Sequence, residues 1–173
     1  MAAMENAKIK TVINLENSVD AMESYSGYPG SYYSQCKVLN PEMNYDFGSE
    51  EFSDKVRDCV TFIAENDGPY LIHCKEGKDR TGILCALIEL FAGDPIESVE
   101  KDYMETYRSF YNVKPEDEVY EIILNSNLRK TLCALLQVDS LDIPDLQQKT
   151  KEYLLSIGLT DKDLAKLSSR LHN

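Results

Sequence analysis

Two rhythms of apolar residues run along this chain: short β-branched runs in the first half, and longer stretches that repeat every three or four positions. Thr11-Val12-Ile13-Asn14-Leu15 is of the first kind and predicts a buried strand. Residues 18–34 are polar and tyrosine-rich, with turns marked by Gly27, Pro29 and Gly30. Cys36-Lys37-Val38-Leu39 predicts a second short strand, stopped by Asn40-Pro41. Beyond the loop Asn44-Tyr45-Asp46-Phe47-Gly48, Ser49 stands as an N-cap before Glu50 and Glu51. Phe52, Val56, Cys59, Val60 and Ile63 then predict a helix to about Asn66. Tyr70-Leu71-Ile72-His73 predicts a third strand, running into a glycine-containing loop and a helix from about Thr81. From Ile83 to Phe91 that helix is apolar nearly all round, as a central buried helix must be.

Downstream the pattern is helical. Val99, Tyr103, Tyr107 and Phe110 or Tyr111 form one stripe; Val119, Ile122, Ile123 and Leu124 form another, extended by Leu132, Leu135 and Leu136. Two short helices close the chain, from about Pro144 to Ser156 and from Thr160 to Leu171, separated by Gly158 with Thr160 as N-cap. The expected fold is α/β: a short, mostly parallel central sheet flanked by helices, with a helical C-terminal half. The 173 residues suit one domain, 1–173, with the helical pair of 140–173 docked on it.

Composition narrows the function. Hydrophobic content of 43% and charged content of 28% are those of a globular chain. With 18 basic and 30 acidic residues the net charge is -12, which argues against a nucleic-acid or anionic-membrane partner held by bulk charge. Any phosphate-bearing substrate must be drawn in by a local site against the global field. The five cysteines are widely spaced without a Cys-x-x-Cys pair, and only two histidines occur, so neither a disulfide framework nor a zinc or histidine-rich metal centre is expected. The longest apolar run, Ile83 to Ile88, is too short to insert stably in a bilayer, and the first residues carry no signal-peptide stretch. As it stands the chain reads as soluble and cytoplasmic, or secreted if a leader has been removed; its oligomeric state is not legible.

The chemistry sits in Leu71-Ile72-His73-Cys74-Lys75-Glu76-Gly77-Lys78-Asp79-Arg80-Thr81-Gly82. A strand delivers a cysteine to a five-residue loop, and an arginine and a threonine follow at a helix N-terminus. Free backbone N–H groups there, with those of the curled loop, make an anion site. Gly77 and Gly82 permit the loop's backbone angles and close approach. Arg80 presents a fork for phosphate oxygens. The same field lowers the pKa of a cysteine placed at Cys74, and a thiolate beneath a bound phosphate dianion suits phosphoryl transfer.

Cys74-x5-Arg80-Thr81 preceded by His73 resembles the signature loop of the cysteine-dependent tyrosine and dual-specificity phosphatases. The longer string through Lys78-Asp79-Arg80-Thr81-Gly82 is similar to one branch, the bacterial tyrosine/lipid phosphatases of the triple-specificity type. Lys75, Gly77 and Lys78 also match the loop of the tumour-suppressor phosphoinositide phosphatase, which differs at Glu76 and Asp79. Asp102-Tyr103, Tyr107 and Tyr111 resemble the helix that follows the loop in the bacterial branch, and the likeness spans about residues 8–171. Members of that branch begin with an Asn-Phe-Arg-Asp-Leu-Gly-Gly-like segment that this sequence lacks, so an incomplete sheet edge and pocket rim are expected.

The resemblance implies a compact phosphatase-type fold and a metal-independent phosphomonoesterase with no cofactor. Its substrate would be a phosphorylated protein or a phosphoinositide. Cys74 would be the nucleophile and Arg80 the clamp. The backbone from Lys75 through Glu76, Gly77, Lys78 and Asp79 to Arg80 would bind phosphate, and Thr81 would ease the thiolate's departure. His73 and Gly82 would orient the loop. The general acid is Asp79, beside the arginine, or Asp46, in the region of the mobile-loop acid of conventional tyrosine phosphatases; the motif favours Asp79. Lys75 and Lys78 would help bind substrates with more than one phosphate. Two other readings stand beside this one: a non-catalytic phosphate-binding or scaffolding module, disfavoured by the intact Cys74, Asp79, Arg80 and Thr81, and a sulfurtransferase or arsenate-reducing enzyme, disfavoured by loop spacing and position.

Overall fold

A computed structural model describes residues 2–171; residues 1, 172 and 173 lie outside it. Helix α1 (Ala2–Asn6) precedes strand β1 (Thr11–Asn14), and α2 (Val19–Glu23) and a 3-10 turn (Tyr33–Gln35) lead to β2 (Lys37–Leu39). Helix α3 (Glu50–Glu65) crosses to β3 (Tyr70–His73), which feeds α4 (Asp79–Ala92). The three strands are all parallel in the order β2-β1-β3, with Thr11 opposite Lys37 on one side and Tyr70 on the other. Central β1 is buried along its whole length, which is why it reads as an unbroken β-branched run rather than an alternating one. Ser49 caps α3 as expected, its hydroxyl accepting from the Phe52 N–H at 3.0 Å.

Helix α5 (Ile96–Tyr111) follows α4, then α6 (Glu118–Ile123), a π-helical turn (Leu124–Arg129) and α7 (Lys130–Leu136). The pair α8 (Leu146–Ser156) and α9 (Asp161–Leu171) packs back on the body, α8 against α4 and α9 against α3. Leu154, Leu159, Leu164 and Leu167 thereby join the same apolar core as Ile13, Phe52 and Leu87. Thr160 and Asp163 cap α9 reciprocally, the Thr160 hydroxyl accepting from the Asp163 N–H and the Asp163 carboxylate from the Thr160 N–H.

The structure departs from the periodicity in the C-terminal half. Val119, Ile122, Phe110 and Tyr111, expected on buried stripes, are exposed. Leu124, Leu132 and Leu136 are buried as expected, joined by Leu128 from the π turn, whereas Val119 and Ile122 lie on the outer face of α6. Helix α4 also begins two residues earlier than expected, at Asp79, so Arg80 and Thr81 lie inside its first turn.

Candidate active site

Parallel α/β sheets place their sites beyond the carboxyl ends of the strands, and here β1 and β3 end side by side with Asn14 opposite His73. Cys74 follows directly, and the loop from Lys75 to Lys78 turns the chain into α4. The turn needs a left-handed residue, supplied by Gly77 at φ +72°.

Helix α5 straps the loop down. The Thr106 hydroxyl donates to the Gly77 carbonyl at 3.0 Å, and the Tyr111 hydroxyl donates to the Glu76 carboxylate at 3.0 Å. The Lys78 ammonium pairs with Glu76 at 3.1 Å and lies over the rings of Tyr107 and Tyr111, 5.6 and 5.3 Å from their centroids. The Glu76 hydrogen bond, first among several causes, pushes the Lys78 amine up and keeps it charged. Gly82 is explained by contact: a Cβ there would sit 2.6 Å from two carbons of the buried Tyr103 ring.

Burial pushes the Cys74 thiol up. It is outweighed by the nearby Thr81 hydroxyl and the backbone of Thr81, Gly77 and Glu76, so the thiol ends below its ordinary value. The Thr81 hydroxyl is buried and makes no hydrogen bond in this structure, and its closeness to Cys74 helps hold the thiol down. His73 is held neutral, because burial lowers its imidazole more than hydrogen bonding with the Cys74 backbone raises it. Its Nε2 lies 3.0 Å from the Tyr33 hydroxyl, which orients the ring.

Arg80 is 5% exposed and almost saturated. Nη1 donates to the carbonyls of Leu15 at 3.1 Å and Met43 at 3.0 Å. Nη2 pairs with the Glu16 carboxylate and donates to the Tyr45 hydroxyl at 2.7 Å, while the Tyr45 ring stacks on the guanidinium at 4.2 Å. Glu16 and Tyr45 did not stand out as site residues in the sequence. The available signal was position: Glu16 lies two residues past the end of β1, at the sheet edge where such sites form.

The two candidate acids part company. Asp79, half-buried on the first turn of α4, lines a cavity of 680 Å³ together with Tyr45, Phe47, Tyr103, Lys130 and Tyr153. Asp46 is exposed on the turn before α3, where its carbonyl accepts from Ser49; its carboxylate takes no partner in the loop. Lys75 is exposed. Among the described residues, no group of three or more His, Cys, Asp or Glu side chains is placed to hold a metal ion.

A parallel sheet hands a cysteine to a tight loop, and an almost saturated arginine stands in the helical turn that follows, on an α/β scaffold. The chain belongs to the tyrosine phosphatase family, whose model matches residues 2–173. That membership supports phosphatase, and hence hydrolase, activity. Comparison with curated proteins found no match. Among the described residues no helix is long and apolar enough to cross a membrane.

Proposed function

We propose that the protein is a phosphomonoesterase working through a cysteinyl-phosphate intermediate, in the manner of the bacterial tyrosine/lipid phosphatases its loop resembles. The observation that carries this is the placement of Cys74: it stands at the end of β3, the turn at Gly77 carries the chain into α4 with the buried Arg80 in its first turn, and the thiol is held below its ordinary value although half-buried. The substrate's phosphate oxygens lie among the loop amides and on Arg80. The Cys74 sulfur attacks phosphorus, the P–O ester bond breaks, and Asp79 gives its proton to the departing oxygen. Water then attacks the phosphocysteine and loses its proton to Asp79. The P–S bond breaks to release inorganic phosphate, and the Thr81 hydroxyl eases return of the thiolate.

Asp79 is preferred over Asp46 as the acid because it directly precedes Arg80 in the chain and lines the cavity, whereas Asp46 faces solvent. The substrate is a phosphorylated protein or a phosphoinositide. Engagement of the Lys78 ammonium by Glu76 and two rings favours a loop-holding role for it and leaves Lys75 as the cation for a second phosphate. Hydrolysis of p-nitrophenyl phosphate tests the reading. The wild type turns it over, and Cys74→Ser loses roughly a thousandfold or more. No hydrolysis by wild type, or equal rates for the two, would refute it.

A further inference from the structure

An arginine has five N–H protons, and Arg80 spends four of them on protein partners. Only Nε–H is without a partner, and it is buried. A phosphate held by a two-pronged fork needs a second N–H parallel to it, from Nη2. One of the two groups on Nη2, the Glu16 carboxylate or the Tyr45 phenol, therefore has to yield. Glu16 makes a charge-assisted pair and its side chain is 29% exposed. Tyr45 makes a neutral hydrogen bond and is 57% exposed. The neutral bond on the exposed side chain is the weaker of the two, so the phenol is the one to move.

The ring also has a place to go. Tyr45 forms part of the wall of the 680 Å³ cavity that Asp79 borders. The same cavity is lined by Tyr153, whose buried hydroxyl has no partner, and by the exposed Lys130. A leaving group protonated by Asp79 would enter this space beside Tyr45.

We propose that Tyr45 is a substrate-contacting residue with two positions. Without ligand its phenol occupies the Arg80 N–H that phosphate requires; when phosphate takes that N–H, the ring turns over the cavity and packs on the leaving group. The proposal rests on the phosphatase reading above. It makes the phenol a competitor of every small oxyanion, which must displace it and gains nothing in return. A bulky organic phosphate recovers the loss through contact with the ring, so Tyr45 selects for large, mainly apolar leaving groups.

Vanadate inhibition and intrinsic fluorescence test this together. The chain contains no tryptophan, so Tyr45→Trp installs a single reporter at the proposed moving part. Tyr45→Phe, which keeps the ring and drops the hydroxyl, should bind vanadate about fivefold more tightly than wild type. Emission from Tyr45→Trp should shift with the same midpoint as inhibition of that variant. Tyr45→Ala should lose more kcat/KM on naphthyl phosphate than on phenyl phosphate. Equal vanadate inhibition of wild type and Tyr45→Phe with unmoved tryptophan emission would overturn the two-position role while leaving the phosphatase reading intact. Tighter vanadate binding by Glu16→Gln but not by Tyr45→Phe would overturn it in favour of Glu16. A wild type that neither hydrolyses aryl phosphates nor binds vanadate would bring down both readings.

Discussion

At Cys74, burial by itself would make the thiol a poor nucleophile, and the loop's hydrogen bonds reverse the sign. No single neighbour is a full positive charge on the sulfur; the effect comes from the nearby backbone of Glu76, Gly77 and Thr81, turned by the left-handed Gly77, and from the Thr81 hydroxyl. In the proposed mechanism Asp79 would have the complementary task, and that role is separable by chemistry. Asp79→Asn should lower kcat by about a hundredfold or more for phenyl phosphate, whose leaving oxygen needs a proton, and far less for p-nitrophenyl phosphate, whose anion is stable. A series of substituted aryl phosphates, assayed at one pH, reads this as a steeper dependence on leaving-group pKa. A parallel loss across the series would remove Asp79 from the acid's role, and a steepened series from Asp46→Asn would give that role to Asp46.

Between elements, the pairing of α4 with α5 matters most, since it holds the loop through Thr106, Tyr107 and Tyr111 and forces glycine at position 82. The same interface carries a second titratable feature. Glu89 on α4 is pushed up to about 8, first by burial and then by the Asp102 carboxylate on α5, which also hydrogen-bonds with it, and by Asp94. A carboxyl whose folded pKa lies above its unfolded one holds a proton that the unfolded chain has released. Its contribution to stability is therefore complete below the ordinary carboxylate range and is lost as pH rises towards 8. Glu89→Gln, neutral throughout, should raise the stability measured at pH 7 by about 1 kcal/mol after allowance for partial solvent screening, or roughly 2–4 °C in Tm. Melting curves between pH 5 and 8 should show the wild type losing ground on the variant as pH rises; a constant gap between them would show that Glu89 ionises normally.

For the whole molecule, a net charge of -12 opposes any dianionic substrate until it reaches the loop. Salt screens that repulsion over distances near 10 Å but leaves the short contacts at Cys74 and Arg80 largely untouched. Raising ionic strength from about 10 to 150 mM should therefore lower KM for an acidic phosphopeptide severalfold at nearly constant kcat. A KM that rises with salt would mean that local cations such as Lys75 and Lys130 dominate the approach. The C-terminal pair belongs to this scale as well, because α8 and α9 cover α4 and α3 with leucines that only a docked arrangement buries.

The three strands, the capped helix α3 and the all-apolar α4 were legible from local pattern, since each depends on residues adjacent in the chain. So was the order Cys74, glycine turn, Arg80, because a loop of that length contains its own chemistry. Arg80's partners come from two further stretches, at residues 15–16 and 43–45, and no spacing rule links them to position 80. The π turn was likewise not legible, since Leu124, Leu132 and Leu136 are buried on either side of it as a continuous pattern suggests. Sequence alone determined the cysteine-to-arginine loop and the elements that carry it. Only the tertiary structure decided which of the two carboxylates lines the large cavity and what holds the arginine, because both depend on segments distant in the chain being packed side by side.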